Sequence, residues 1–145
     1  MTTDDAIRQE ILAANARFYA ALVQADLAAM TELWHHGPAT ECVHPGWDRL
    51  RGWPTIEQSW ARIFQHQGPL PVQPSDLLVH WQGDMAWVTC YENITLQEGA
   101  TQQISQMLAT NVFERIEGHW RMVIHHASPA PPGTIHARSW RTSLN

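Results

Sequence analysis

An α+β fold, with three helices laid on one face of a curved antiparallel sheet, is predicted by two features of the 145-residue chain. Apolar residues recur at helical spacing through the first half, interrupted by one short strand-like run, and from residue 70 onward the pattern changes to a period of two. The period-two runs are separated by Gly-containing turns, so they form a meander of four antiparallel strands.

The first helix covers residues 4–24, where Ile7, Ile11, Phe18 and Leu22 make the apolar stripe and Thr2 and Asp5 stand near the start as capping residues. Asp26 has the side chain of an N-cap for a second helix through Leu27, Met30, Leu33 and Trp34, which the Gly-Pro of "HHGPA" ends. Residues 39–44, "ATECVH", have the length and mixed apolar character of a short strand. After the loop "PGWDRLRG", Pro54 sits where the first turn of a helix tolerates it, and Ile56, Trp60, Ile63 and Phe64 form one face of a third helix. Then come "PVQPSDLLVHW", "MAWVTCYENITL", "TQQISQMLATNVFERI" and "HWRMVIHHAS", with turns at Gly-Asp, "QEGA" and Glu-Gly between them. Residues 1–128 make one domain. The tail, residues 129–145, begins Pro-rich without a period and is expected to be mobile or draped over a neighbour.

Trp87 and Tyr91 fall on one face of their strand, and Ala86, Val88, Cys90 and Glu92 on the other, so both faces of the sheet carry residues of a buried type. A homodimer through the outer face is the expected solution, with a higher oligomer as an extension of it.

Composition narrows the function. A net charge of −5 with scattered arginines and no lysine excludes nucleic acid and anionic membrane as partners, because both need clustered cations. Schiff-base chemistry and a lysine P-loop are excluded as well. The chain has no run long and apolar enough to span a bilayer and no signal-peptide pattern at its start, so a cytoplasmic location is expected. Two cysteines, Cys42 and Cys90, read as buried thiols. Eight tryptophans and nine histidines are the oddities, because indoles line pockets and histidine titrates near neutrality.

The run of segments "EILAANARFYAALVQADLAAMTELW", "CVHPGW", "GWPTIEQSWARIF", "GDMAWVT", "ATNVFER" and "GHWRMVIHHAS" resembles the nuclear transport factor 2-like superfamily. Within it the chain is similar to SnoaL-like proteins and to the association (hub) domain of calcium/calmodulin-dependent protein kinase II. The resemblance implies a cone-shaped, cystatin-like α+β domain in which helices and a strongly curved sheet enclose a pocket and the convex sheet forms a dimer. It does not imply one activity, since this scaffold hosts enzymes, transport factors and oligomerisation domains. The chain lacks the glycine-rich loop, "HRD" and "DFG" of a kinase.

In ketosteroid isomerase-like relatives the general base is an aspartate in an Asp-Pro step, and "VHP" puts His44 at that position. A histidine there suits a base, with an ordinary pKa near 6.5, and equally suits a packing residue that donates one hydrogen bond. The isomerase's oxyanion donors are not matched. Its tyrosine falls on Phe18, with Tyr19 about 100° further round the helix, and its acid falls near Ala109, so steroid isomerisation is not expected.

Against the hub, inward arginines fall on Glu92 and Asn111, which turns the pocket away from anions toward neutral, cationic or aromatic-bound ligands. Strand parity groups His126 with Trp120, Met122 and Ile124 as the inner set and sends His125 to the other face. Trp47, Trp53 and Trp60 are expected around the pocket's mouth and wall. The candidate site is thus His44 and His126 as proton-transfer groups, with Tyr19, Trp47, Trp60, Glu92 and Asn111 as ligand-binding residues. A zinc site from His44, His126 and Glu92 has the right ligand types but no spacing that demands a metal, and neither metal nor cofactor is expected. Two functions remain open: a small-molecule-binding or oligomerisation module, or an isomerase, cyclase or hydrolase with His44 as base.

Overall fold

The computed structural model describes residues 2–131, so most of the C-terminal tail, from residue 132, lies outside the described residues. Helix α1 spans Thr3–Gln24. Thr2 caps it by accepting from the Asp5 amide while the Asp5 carboxylate accepts from the Thr2 amide, a reciprocal pair that satisfies two otherwise orphaned donors. Ala25 turns left-handed at φ 51 and ends the helix. Asp26 then caps α2, Leu27–Leu33, through its carboxylate and the Ala29 amide. At the end of α2, His36 hydrogen-bonds the Thr31 carbonyl at 2.7 Å, as its position near the helix C-terminus predicts.

Strands β1 (Glu41–Val43) and β2 (Leu50–Arg51) flank the loop that carries "HPGW", and β2 is a strand that periodicity alone does not reveal. Gly52 follows at φ +87, a conformation that favours glycine, and opens α3, Trp53–Gln67. The meander is β3 (Val72–Gln82), β4 (Met85–Glu98), β5 (Thr101–Ile116) and β6 (His119–Pro129). These elements form one six-stranded sheet of order β2-β1-β6-β5-β4-β3. The sheet is mixed rather than wholly antiparallel, because β1 lies parallel to β6.

Helix α1 lies in the hollow of the sheet. Its Ile11, Ala14, Phe18 and Leu22 meet the inner face, where Ala86, Ala109 and Ala127 leave room for the helix to approach and Val88, Phe113 and Met122 fill the rest. The alternation expected on β4 holds, with Ala86, Val88, Cys90 and Glu92 buried and Trp87 and Met85 more than a third exposed on the convex side.

Two β-bulges interrupt the meander. One lies between Ser75 and Leu78 on β3, next to Asp76 at φ 54. The other moves the β5–β6 pairing from Val112–Ile124 to Phe113–Met122, so Val123 is an extra residue on β6. An extra residue reverses which side chains face inward beyond it. Trp120 and Met122 remain inside, but His125 and Ala127 follow them there, and His126 is exposed on the convex face. The expectation that His126 points inward is therefore corrected, and His125 takes its place.

Candidate functional site

Between α1, α3 and the open end of the sheet lies a cavity of about 570 Å³. His44, Trp60, Ile63, Glu92, Met107 and His125 are among the residues that line it, while Trp47 and Leu96, each about two-fifths exposed, mark its open end. The tryptophans do not fill it. Trp60 forms a buried wall and Trp47 lies at the rim, whereas Trp53 packs against Trp34 and stacks on His36, away from the cavity.

His44 sits between the two indoles, edge-on to Trp47 at 4.7 Å and to Trp60 at 4.6 Å between ring centroids. Its Nε2 lies 2.9 Å from the Ser59 hydroxyl, a partner on α3. Burial in this apolar setting lowers its pKa to about 4 and keeps the ring neutral. Cys42 Sγ is 3.8 and 3.9 Å from the two ring nitrogens, a contact directed at neither, and burial together with the Glu92 charge raises the thiol's pKa. A thiol so held is a packing group and not a nucleophile.

Behind the cavity a polar chain crosses the core. Tyr19 donates to Glu92 Oε2 at 2.7 Å and touches Cys90 Sγ at 3.2 Å. Asn111 donates to Asn15 at 2.9 Å and to Tyr19 at 3.1 Å, and its oxygen lies 2.6 Å from His125 Nδ1. Burial raises the Glu92 carboxyl to about 7 although the Tyr19 hydrogen bond pulls it down, so near neutral pH a large share of it is a carboxylic acid. Tyr19 is raised well above its usual range by burial and by the charges of Glu92 and Cys90. His125 is lowered to about 3, first by burial and then by the charges of His44 and His126.

The structure therefore brings His44, Trp47, Trp60 and Glu92 to the cavity, sets Tyr19 and Asn111 behind it as supports, and leaves His126 outside. His125 and Ser59 are the residues that sequence reasoning missed. Ala109 on β5 brings no carboxyl, and the carboxyl that lines the cavity among the described residues is Glu92 on β4. No group of three or more potential metal ligands occurs among the described residues.

A largely apolar pocket closed by helices on one side and a curved sheet on the other defines a cone of the nuclear transport factor 2-like class. Residues 11–132 match the family model of the SnoaL-like domain, and the chain belongs to that family. A solved structure from Streptomyces avermitilis, described as a candidate dehydratase of the NTF2-like family, is 34% identical with a TM-score of 0.80, covering 89% of this chain and 99% of that one. A candidate calcium/calmodulin-dependent protein kinase II association domain from Thiobacillus denitrificans is 31% identical with a TM-score of 0.75, covering 82% and 94%. Among curated proteins, F-box protein SKIP8 of Arabidopsis thaliana is 30% identical over 123 residues, 85% of this chain and 51% of the relative, so the chain spans about half the length of that protein.

Proposed function

We propose that this SnoaL-like chain is a homodimeric binding protein whose cone takes one small, uncharged, largely apolar molecule. The observation that carries the reading is the about 570 Å³ cavity whose titratable wall groups, Glu92, His44 and His125, are all biased by burial toward their uncharged forms. Among the described residues no arginine lines it, so an anion finds no countercharge from them there.

The dimer reading draws on the convex face, where Leu78 is 72% exposed and Leu108 and Trp87 are more than a third exposed on neighbouring strands. Similarity to association-domain proteins supports self-association. The test of the binding reading is a titration of intrinsic tryptophan fluorescence with 2-naphthol and with 2-naphthoate at about pH 6, where Glu92 and both imidazoles are uncharged. Saturable binding of the naphthol, with the naphthoate at least about tenfold weaker, is expected. Equal or tighter binding of the anion overturns the reading.

A second reading, acid–base catalysis, is favoured by one observation: a carboxylic acid and two neutral imidazoles line the same cavity. The dehydratase description of the Streptomyces relative suggests a β-hydroxy ketone as the trial substrate. In such a reaction an imidazole nitrogen takes the proton next to the carbonyl, and Glu92 protonates the departing hydroxyl, which leaves as water. Formation of the conjugated enone, abolished by Glu92→Gln, would support this reading. Turnover no greater than that of the Gln variant sinks it.

A further inference from the structure

Asn111 sets the direction of a hydrogen-bond chain that ends at the cavity. The Tyr19 hydroxyl has one proton, and its shortest contact is Glu92 Oε2 at 2.7 Å, so it donates there. Having donated, it accepts from Asn111 Nδ2 at 3.1 Å, and the second proton of that amide goes to Asn15 Oδ1 at 2.9 Å. The Asn111 oxygen is then the atom that faces His125 Nδ1 at 2.6 Å, and an acceptor opposite that nitrogen requires it to carry the proton. His125 is held as the Nδ1–H tautomer with its lone pair on Nε2.

That nitrogen has no hydrogen-bond partner among the described residues, and His125 lines the cavity. The buried polar atoms without a partner among the described residues are elsewhere, at Asn15 Nδ2, Trp34 Nε1 and Trp60 Nε1, so His125 Nε2 is not sealed into the core. His44 repeats the arrangement beside it, just past the end of β1, the strand that pairs with β6. Ser59 gives its own proton to the Ile56 carbonyl at 2.7 Å and so accepts from His44 Nε2, which leaves Nδ1 of that ring as an acceptor too.

We infer that His125 Nε2 is a ligand-binding hydrogen-bond acceptor on the inner wall of the cavity, positioned by Asn111, and that the bound molecule is an uncharged ring compound presenting a hydroxyl or N–H to it. The inference rests on the proposal that the cavity binds an uncharged molecule. Trp60, Ile63, Ile94 and Met107 supply the apolar surface for the ring. An ether of the same shape brings a lone pair against a lone pair and loses the hydrogen bond.

Two measurements on the full chain test this. Long-range ¹⁵N–¹H correlation spectra of the wild type report the His125 tautomer directly: Nδ1–H is expected, and Nε2–H overturns the inference whatever binds. Titration with 2-naphthol and 2-methoxynaphthalene reads the site, with an expected preference of about tenfold for the naphthol in the wild type. In Asn111→Leu the ring is no longer held in one tautomer, the spectrum becomes a mixture and the preference falls below about threefold. Wild-type binding of both compounds with equal affinity overturns the acceptor site while leaving the cavity reading intact. If neither compound binds, the cavity reading itself fails, and the acceptor site fails with it.

Discussion

Replacing Glu92 by Gln removes a titrating group while keeping an amide oxygen that can accept from Tyr19, so the variant isolates what ionisation does to the fold. In the wild type, burial raises this carboxyl from 4.5 to about 7. The folded chain then holds a proton at pH values where the unfolded chain has released it. The stabilisation is complete below pH 4.5 and is lost as pH rises through about 7. At about 1.4 kcal/mol for each pH unit, that loss totals about 3 kcal/mol. His44 and His125 act in the opposite sense. Their folded values of about 4 and about 3 lie below the ordinary 6.5, so their contribution is complete above pH 6.5 and declines as pH falls. Both rings are common to the two proteins and cancel in the difference between them. Urea unfolding followed by tryptophan fluorescence, at steps between about pH 5 and about pH 8, measures that difference, and the Gln variant should gain about 2–3 kcal/mol on the wild type across the range. Parallel stability curves would refute the claim that Glu92 is held as an acid.

Other substitutions probe the remaining parts of the account. Trp60→Ala empties a wall that is 2% exposed and should cost about 3–5 kcal/mol in urea unfolding, with loss of 2-naphthol binding; a cost under about 1 kcal/mol would mean that Trp60 is not packed as described. Ser59→Ala removes the acceptor for His44 Nε2–H, and thermal unfolding should report a loss of about 1 kcal/mol while ¹⁵N spectra show a mixture of His44 tautomers. His126→Ala should leave stability within about 0.5 kcal/mol and naphthol affinity unchanged, because the Val123 bulge turns this side chain outward; weakened ligand binding would contradict that register. Leu108→Glu on the convex face should convert a dimer to a monomer in size-exclusion chromatography with light scattering, and a dimer that survives it argues for another interface.

Much of the fold was legible in the chain because each element carries local signals. The Thr2–Asp5 box, the Asp26 cap, Pro54 in the first turn of α3 and the three Gly-containing turns fix the elements nearly to the residue. His44, Glu92, Trp60 and Trp47 were reachable too, through strand parity and the resemblance of "CVHPGW" to a family site. His125 was not, because its orientation depends on a single inserted residue. Val123 and Ile124 are both apolar and compatible with a regular strand, so nothing local distinguishes the bulge, which emerges only from the pairing of β6 with β5. The partnership of Tyr19 with Glu92 joins residues 73 positions apart, and Asn111 with Asn15 joins residues 96 apart. Such pairs follow from how α1 is laid across the sheet and leave no mark in sequence spacing.

The central claim is that the cone holds an open cavity for an uncharged molecule between Trp60, Glu92 and the two imidazoles. Intermolecular nuclear Overhauser contacts between 2-naphthol and the protein test it most directly. The account predicts contacts to the methyl groups of Ile63, Ile94 and Met107, which line that cavity. Contacts confined to Leu78 and Leu108 on the convex face would contradict it.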